Sequence, residues 1–176
     1  MLMAIPSLNT QAFGSTPGKV AEIDRLLDRT EPGRVDLLLD TGHYVYGGGD
    51  PVDLMARRGE RIRYVHYKDL DAGKLAAIRR DRIDMRTAWR RGVFVPLGEG
   101  CIDFPELTRM LRMRDYDGWI IVEQDTVVQG EPHRPLAANR QLVEPGLGHV
   151  QEARQLNLVG HDAFHELAER TAQPAP

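Results

Sequence analysis

Three polar residues, Asp40, His66 and Glu123, close apolar runs of this chain at intervals of 26 and 57 residues, and that spacing restricts the fold more than any other feature. The runs are "VDLLLD" (35–40), "IRYVHY" (62–67) and "GWIIVE" (118–123), with a fourth, "GVFVPL" (92–97), inside the longer interval. Each is short, rich in Val, Ile, Leu and aromatic residues, and bounded by Gly, Pro or Asp, which is the pattern of buried strands. Helical patterns separate them. "TPGKVAEIDRLLDR" opens on Thr16 as N-cap and Pro17 in the first turn, and sets Val20, Ile23, Leu26 and Leu27 on one face. "DPVDLMARRG" repeats the capping Asp and closes on Gly59, and "DFPELTRMLRMRDYDG" repeats it again with Leu107, Met110 and Leu111 inward. Strand followed by helix, several times over, implies parallel strands and an α/β fold. Dividing the 57-residue interval into two units gives a βα repeat of about 26 to 31 residues, the size of a (β/α)8 barrel unit. The expectation is a partial TIM barrel of about four to five βα units over residues 1–145, followed by a helical C-terminal extension over residues 146–176.

In such a barrel the carboxyl ends of the strands share one face, and that face holds the chemistry. Asp40, His66 and Glu123 would converge there, although 83 residues separate the first from the last. Carboxylate oxygens and an imidazole nitrogen suit a hard or borderline divalent cation such as Mn, Mg, Co or Zn. Each residue also has an ordinary explanation: an Asp after a strand is most often a helix cap, a His in an alternating run is often a core residue, and a Glu at a strand end often meets water. Three such residues at one barrel spacing favour the metal reading over three separate coincidences. Lys68, in "VHYKD", offers a positive charge to a substrate oxygen or forms a surface ion pair. The "PLGEG" turn (96–100) brings Glu99 to the same rim.

Several classes are excluded. The net charge is −3 with both signs interspersed, so no basic stripe marks a nucleic-acid face. Cys101 is the single cysteine, which rules out an internal disulfide framework and fits a reducing cytoplasm. "MLMAIPSLNT" has no basic n-region and breaks at Pro6, so it reads as neither signal peptide nor membrane span. "YGGGD" lacks the Lys and the spacing of a phosphate loop, and no Ser or Cys occupies a nucleophile elbow. Trp89 and the Met residues read as core, and "IRRDRIDMRTAWRR" reads as a solvated helix face.

Taken together and in order, "LLLDTGH", "RIRYVHYKD", "GVFVPLGEGCIDFPEL" and "YDGWIIVEQD" resemble the second half of the xylose-isomerase-like TIM-barrel superfamily of sugar isomerases and epimerases, and within it the inosose dehydratases. The resemblance covers roughly residues 16–145. It implies a divalent metal held by Glu, Asp, His and Glu from four strands, of which the last three map onto Asp40, His66 and Glu123. It also implies that His43 faces substrate hydroxyls. On the chemistry of the residues themselves, Glu123 would relay a proton as well as bind metal, His43 or Lys68 would orient the departing hydroxyl, and Lys68 and Glu99 are the further substrate-binding candidates. The implied reaction is dehydration of 2-keto-myo-inositol through a metal-stabilised enediolate. The alternatives are a sugar or hydroxypyruvate isomerase or epimerase, and a non-catalytic half-barrel subunit.

The departures from that pattern are as specific as the match. A complete barrel takes ~250 residues, and the superfamily's first three strands have no counterpart here. No side chain through Thr16 is ionisable, so the first metal ligand is missing or replaced by water, Asn9 or Gln11. A half-barrel exposes strand edges and apolar surface. The expectation is therefore self-association, a complementary half-barrel partner, or an incomplete copy of a longer enzyme, in each case acting on a small keto-polyol or sugar.

Overall fold

The computed structural model describes residues 7–9 and 20–123. Among them are six strands, β1 (Ser7–Asn9), β2 (Asp36–Asp40), β3 (Ile62–Tyr67), β4 (Asp69–Leu70), β5 (Phe94–Val95) and β6 (Trp119–Val122). The first three and the last form one parallel sheet in the order β1-β2-β3-β6. Alternation along β2 and β3 sends Leu37, Leu39, Val65 and Tyr67 into the main hydrophobic core, where all four are fully buried. The other face carries Leu38, Asp40, Tyr64 and His66.

Helices cover the core face. The helix α1 (Val20–Leu27) buries Ile23 and Leu27, and the part of the expected helix that includes Thr16 and Pro17 lies outside the described residues. α2 (Thr41–Tyr46) starts directly after β2. α3 (Pro51–Arg58) is capped by Asp50, whose carboxylate accepts from Val52 and Asp53 N–H, and it buries Leu54 and Met55. α4 (Ala72–Arg80) and α5 (Met85–Arg90) follow β4 and are capped by Asp71 and Asp84. α6 (Phe104–Met113) is capped by Asp103 and packs Phe104 against Tyr67, with ring centroids 4.8 Å apart. The Tyr67 hydroxyl is satisfied by Thr108 Oγ1 at 3.0 Å. Among the described residues no helix is long and apolar enough to cross a membrane.

The structure corrects the expected repeat. "GVFVPL" is not a barrel strand: β3 pairs directly with β6, and only Phe94–Val95 are extended, antiparallel to Asp69–Leu70 in a separate two-stranded ribbon. The run is cut short at both ends, by Gly92 at φ 66° and by Pro96, which has no N–H to give a ladder. The interval from His66 to Glu123 is thus one βα unit enlarged by an insertion. That insertion has its own small core of Leu70, Leu75, Ile78, Ala88, Val93 and Phe94, closed by Tyr46 from α2. The Arg-rich run is accordingly two short helices over this second core, with Trp89 packed at its margin. The 146–176 tail lies outside the described residues.

Charge is also buried at the opposite ends of the strands. Asp36, at the start of β2, is fully buried with Arg61 Nε at 3.5 Å and Arg63 Nε at 3.3 Å. Arg61 precedes β3 and donates to the carbonyls of Leu27, Thr30 and Val35 and to Thr30 Oγ1, at 2.6 to 3.1 Å. One guanidinium therefore ties the end of α1, the turn after it and the start of β2 to β3. Removing it strands those acceptors and half-neutralises a buried carboxylate, so Arg61→Met is expected to cost about 3 kcal/mol. Urea unfolding measures it, and a loss below about 1 kcal/mol would mean that the pair behaves as a surface one.

Candidate metal and active site

The register of the sheet brings the site together. Asp40 pairs with His66 across β2 and β3, and the amide of Glu123, the residue after β6, donates to Tyr67 C=O at 2.9 Å. Donor atoms of Asp40, His66 and Glu123 all lie within 4.8 Å of one another. The convergence expected from the sequence is present, on three neighbouring strands.

Asp40 serves two purposes at once. Its Oδ1 accepts from His43 N–H at 2.9 Å and caps α2, which is the ordinary role of an Asp after a strand. Its Oδ2 faces the site, 3.7 Å from Lys68 Nζ. Burial pushes this carboxyl up to about 6, against the pull of the Lys68 ammonium. Glu123 is shifted the other way, down to about 2: burial alone would raise it, but the His66 ring and the Lys68 ammonium more than offset that. Lys68 Nζ lies 2.6 Å from Glu123 Oε2, and His66 Nδ1 lies 2.6 Å from Glu123 Oε1. The second approach is off the ring N–H axis and is not a hydrogen bond, although Nδ1 is buried. The two carboxylates and the imidazole bring one donor each within 4.8 Å of one another, and the donor set fits a divalent ion of Mn, Co, Mg or Zn type.

Lys68 is not the surface residue that one reading of the sequence allowed. It is 2% exposed, and Thr41 holds its backbone in both directions: Thr41 Oγ1 donates to Lys68 C=O at 2.8 Å and accepts from Lys68 N–H at 3.0 Å. His43, in the first turn of α2, is buried beside the Phe94 ring, with centroids 5.2 Å apart. The Phe94 ring also sits 5.1 Å from Lys68 Nζ. Phe94 was not a candidate from sequence, since nothing distinguishes it from a strand residue until the ribbon folds back over the site.

Glu99 is exposed, in a 96–100 turn whose first two residues, Pro96 and Leu97, are buried. What ties that turn in place is Asp69, which sequence reading left unassigned. Its carboxylate accepts from the N–H groups of Leu70, Gly98, Gly100 and Ile102 at 2.8 to 3.3 Å. Any side chain at position 100 would run into that carboxylate. Of the two residues considered as replacements for a first ligand, Asn9 ends β1, in register with Leu38, and Gln11 lies outside the described residues.

With this geometry in view, the sequence model of the xylose isomerase-like TIM barrel family matches residues 9–146. The chain is 49% identical over 112 residues to inosose dehydratase of Geobacillus kaustophilus (strain HTA426), which covers 64% of this chain and 36% of that protein. It is 39% identical over 121 residues to inosose dehydratase of Bacillus velezensis (strain DSM 23117 / BGSC 10A6 / LMG 26770 / FZB42), covering 68% and 41% respectively. In fold it is similar to the probable 3-DHS dehydratase AsbF from Bacillus anthracis, with a TM-score of 0.51 and 21% identity over 71% of this chain and 44% of that one. The chain thus spans less than half the length of these relatives.

Gly42 gives a test of how tightly the site is built. An Ala in a helix is ordinarily favoured over Gly by about 1 kcal/mol, but a Cβ at position 42 would stand 2.7 Å from Lys68 Cγ and 3.0 Å from Lys68 C=O. Gly42→Ala is therefore expected to destabilise the fold by about 1 to 3 kcal/mol, measured by denaturant titration. A stabilised variant would show that the Lys68 stem does not cross α2 as described.

Proposed function

This chain belongs to the xylose isomerase-like TIM barrel family, and on that premise we propose that it supplies the metal-binding strand ends of a dehydratase of inosose dehydratase type, acting on a keto-polyol such as 2-keto-myo-inositol. The observation that carries the reading is the clustering of Asp40, His66 and Glu123 donors at the ends of neighbouring parallel strands. These three residues would hold the ion, of Mn, Co, Mg or Zn type. When bound, the ion polarises a substrate carbonyl and makes the adjacent C–H more acidic.

The remaining work falls to this chain's side chains. Glu123 is half-buried between the His66 ring and the Lys68 ammonium, placed to take a proton at a carboxylate oxygen and return it. Lys68 and His43 orient the hydroxyl that departs, His43 with its ring set against Phe94. Glu99 contributes a substrate contact from the rim. Sugar or hydroxypyruvate isomerisation would use the same ligands, and the names of the relatives favour dehydration. Because the chain spans only 36% and 41% of those relatives, the remaining walls of the substrate pocket would come from further βα units, whether in a longer form of the same enzyme, a partner half-barrel or a second copy.

Two measurements test the reading. Asp40→Asn keeps the helix cap, since Asn caps as well as Asp, but removes the negative charge of the ligand. Calorimetric titration with Mn is expected to show at least ~10-fold weaker binding by this variant, and equal affinity would remove Asp40 from the site. For activity, misplacement of reacting groups by ~1 Å costs about a hundredfold in rate. The 176-residue chain is accordingly expected to form little dehydrated diketone alone and more after addition of the N-terminal half of a full-length relative. Full turnover by the isolated chain would contradict the incomplete-pocket argument.

A further inference from the structure

Lys68 occupies the place that a cation would have to share. Asp40 Oδ1 is committed to the His43 amide, so Oδ2 is the oxygen left for a metal, and it is Oδ2 that lies 3.7 Å from Lys68 Nζ. Glu123 meets the same ammonium at 2.6 Å. The stem that delivers it is nearly inaccessible, runs against Gly42 where any Cβ would collide, and has its backbone fixed by Thr41. The Phe94 ring stands 5.1 Å from the ammonium and presents its π face to it.

We propose that Lys68 is the site's own counter-cation: its ammonium holds the Asp40 and Glu123 carboxylates together when no divalent ion is bound, and a divalent ion displaces it. The inference rests on the metal reading of Asp40, His66 and Glu123 and adds to it a competitor inside the chain. Two cations about 4 Å apart in a partly dry site repel strongly, so the ion and the ammonium cannot both stay on Asp40 Oδ2. Lys68 is held at its backbone but swings on a flexible four-carbon stem. Displaced, the ammonium swings away from the carboxylates towards solvent, where it meets substrate hydroxyls. Metal affinity is set by this competition, and charge on Lys68 reaches the substrate only after metal has entered.

The test uses Mn and the full chain. Lys68→Met should bind Mn at least tenfold more tightly than wild type by calorimetry, because the competing charge is gone. Lysine occurs only at positions 19, 68 and 74, which allows a second readout free of any variant. Brief acetylation followed by mass spectrometry should leave Lys68 protected without Mn and label it with Mn, while labelling of the exposed Lys74 stays constant; this arm decides the matter if Lys68→Met does not fold. Mn binding by wild type with equal or weaker binding by Lys68→Met, or with Lys68 equally protected in both conditions, would overturn displacement and make Lys68 a fixed anchor for Glu123, leaving the metal reading intact. No Mn binding by wild type or variant would overturn the metal reading and this inference together.

Discussion

Two carboxylates and an imidazole held side by side at the ends of parallel strands pose an electrostatic problem that the surrounding structure must solve. Asp40 is fully buried and Glu123 partly so, and like charges in a low-dielectric place resist being ionised together unless positive charge lies between them. The two groups shift in opposite directions, Asp40 upward because burial outweighs the Lys68 ammonium 3.7 Å away, Glu123 downward because His66 and the nearer Lys68 ammonium outweigh burial. Much of the nearby architecture can be read as the means of bringing a cation to this point. Thr41 pins the Lys68 backbone, Gly42 clears room for the stem, and Phe94 closes over the ammonium.

The insertion between β3 and β6 has meaning in the same terms. It leaves the sheet immediately after Lys68, and Asp69, the next residue, clamps the 98–102 loop by accepting from three of its backbone N–H groups, those of Gly98, Gly100 and Ile102. Its second core is closed by Tyr46 of α2, while Arg79 donates to the Val45 and Tyr46 carbonyls at the end of that helix. The insertion is therefore fastened to the helix that begins at Asp40 and bears His43. Its ribbon places Phe94 beside both His43 and Lys68, an apolar wall against the imidazole ring and the ammonium. Such loops at the carboxyl ends of barrel strands are where this architecture varies its chemistry.

The parts legible in the sequence were those written in short-range pattern. Alternating apolar runs located β2, β3 and β6, Asp-initiated helices located α3 and α6, and strand-end residues located Asp40, His66 and Glu123. What failed did so for physical reasons. "GVFVPL" has the composition of a buried strand, but its pairing partner is decided by tertiary contacts, and Gly92 and Pro96 leave only two residues extended. Lys68 was ambiguous because sequence does not reveal that Gly42 and Thr41 bury it. Phe94 was invisible because its significance comes from a ring-to-ring distance across 51 residues of chain. Asp40 shows why weighing an ordinary role against a functional one is the wrong choice for some residues: a carboxylate has two oxygens, and here one caps the helix while the other faces the site.

β2 carries an aspartate at each end, and the two are neutralised in ways that suit different tasks. Asp36 meets Arg61, whose guanidinium is also bonded to three backbone carbonyls and a hydroxyl, so moving it would break an entire corner of the fold. Asp40 meets Lys68, a point charge on a flexible stem whose ammonium contacts are made to the carboxylates of Asp40 and Glu123 and to an aromatic face. A planar five-donor group suits a permanent joint, and a single ammonium suits a position that another cation must be able to take. The same strand is thus locked at its amino end, where barrels place stability, and exchangeable at its carboxyl end, where they place chemistry. An arginine at position 68 would present a larger, forked cation in the space that Gly42 and Phe94 leave for a stem and one ammonium, and it would hold both carboxylates too well to give them up.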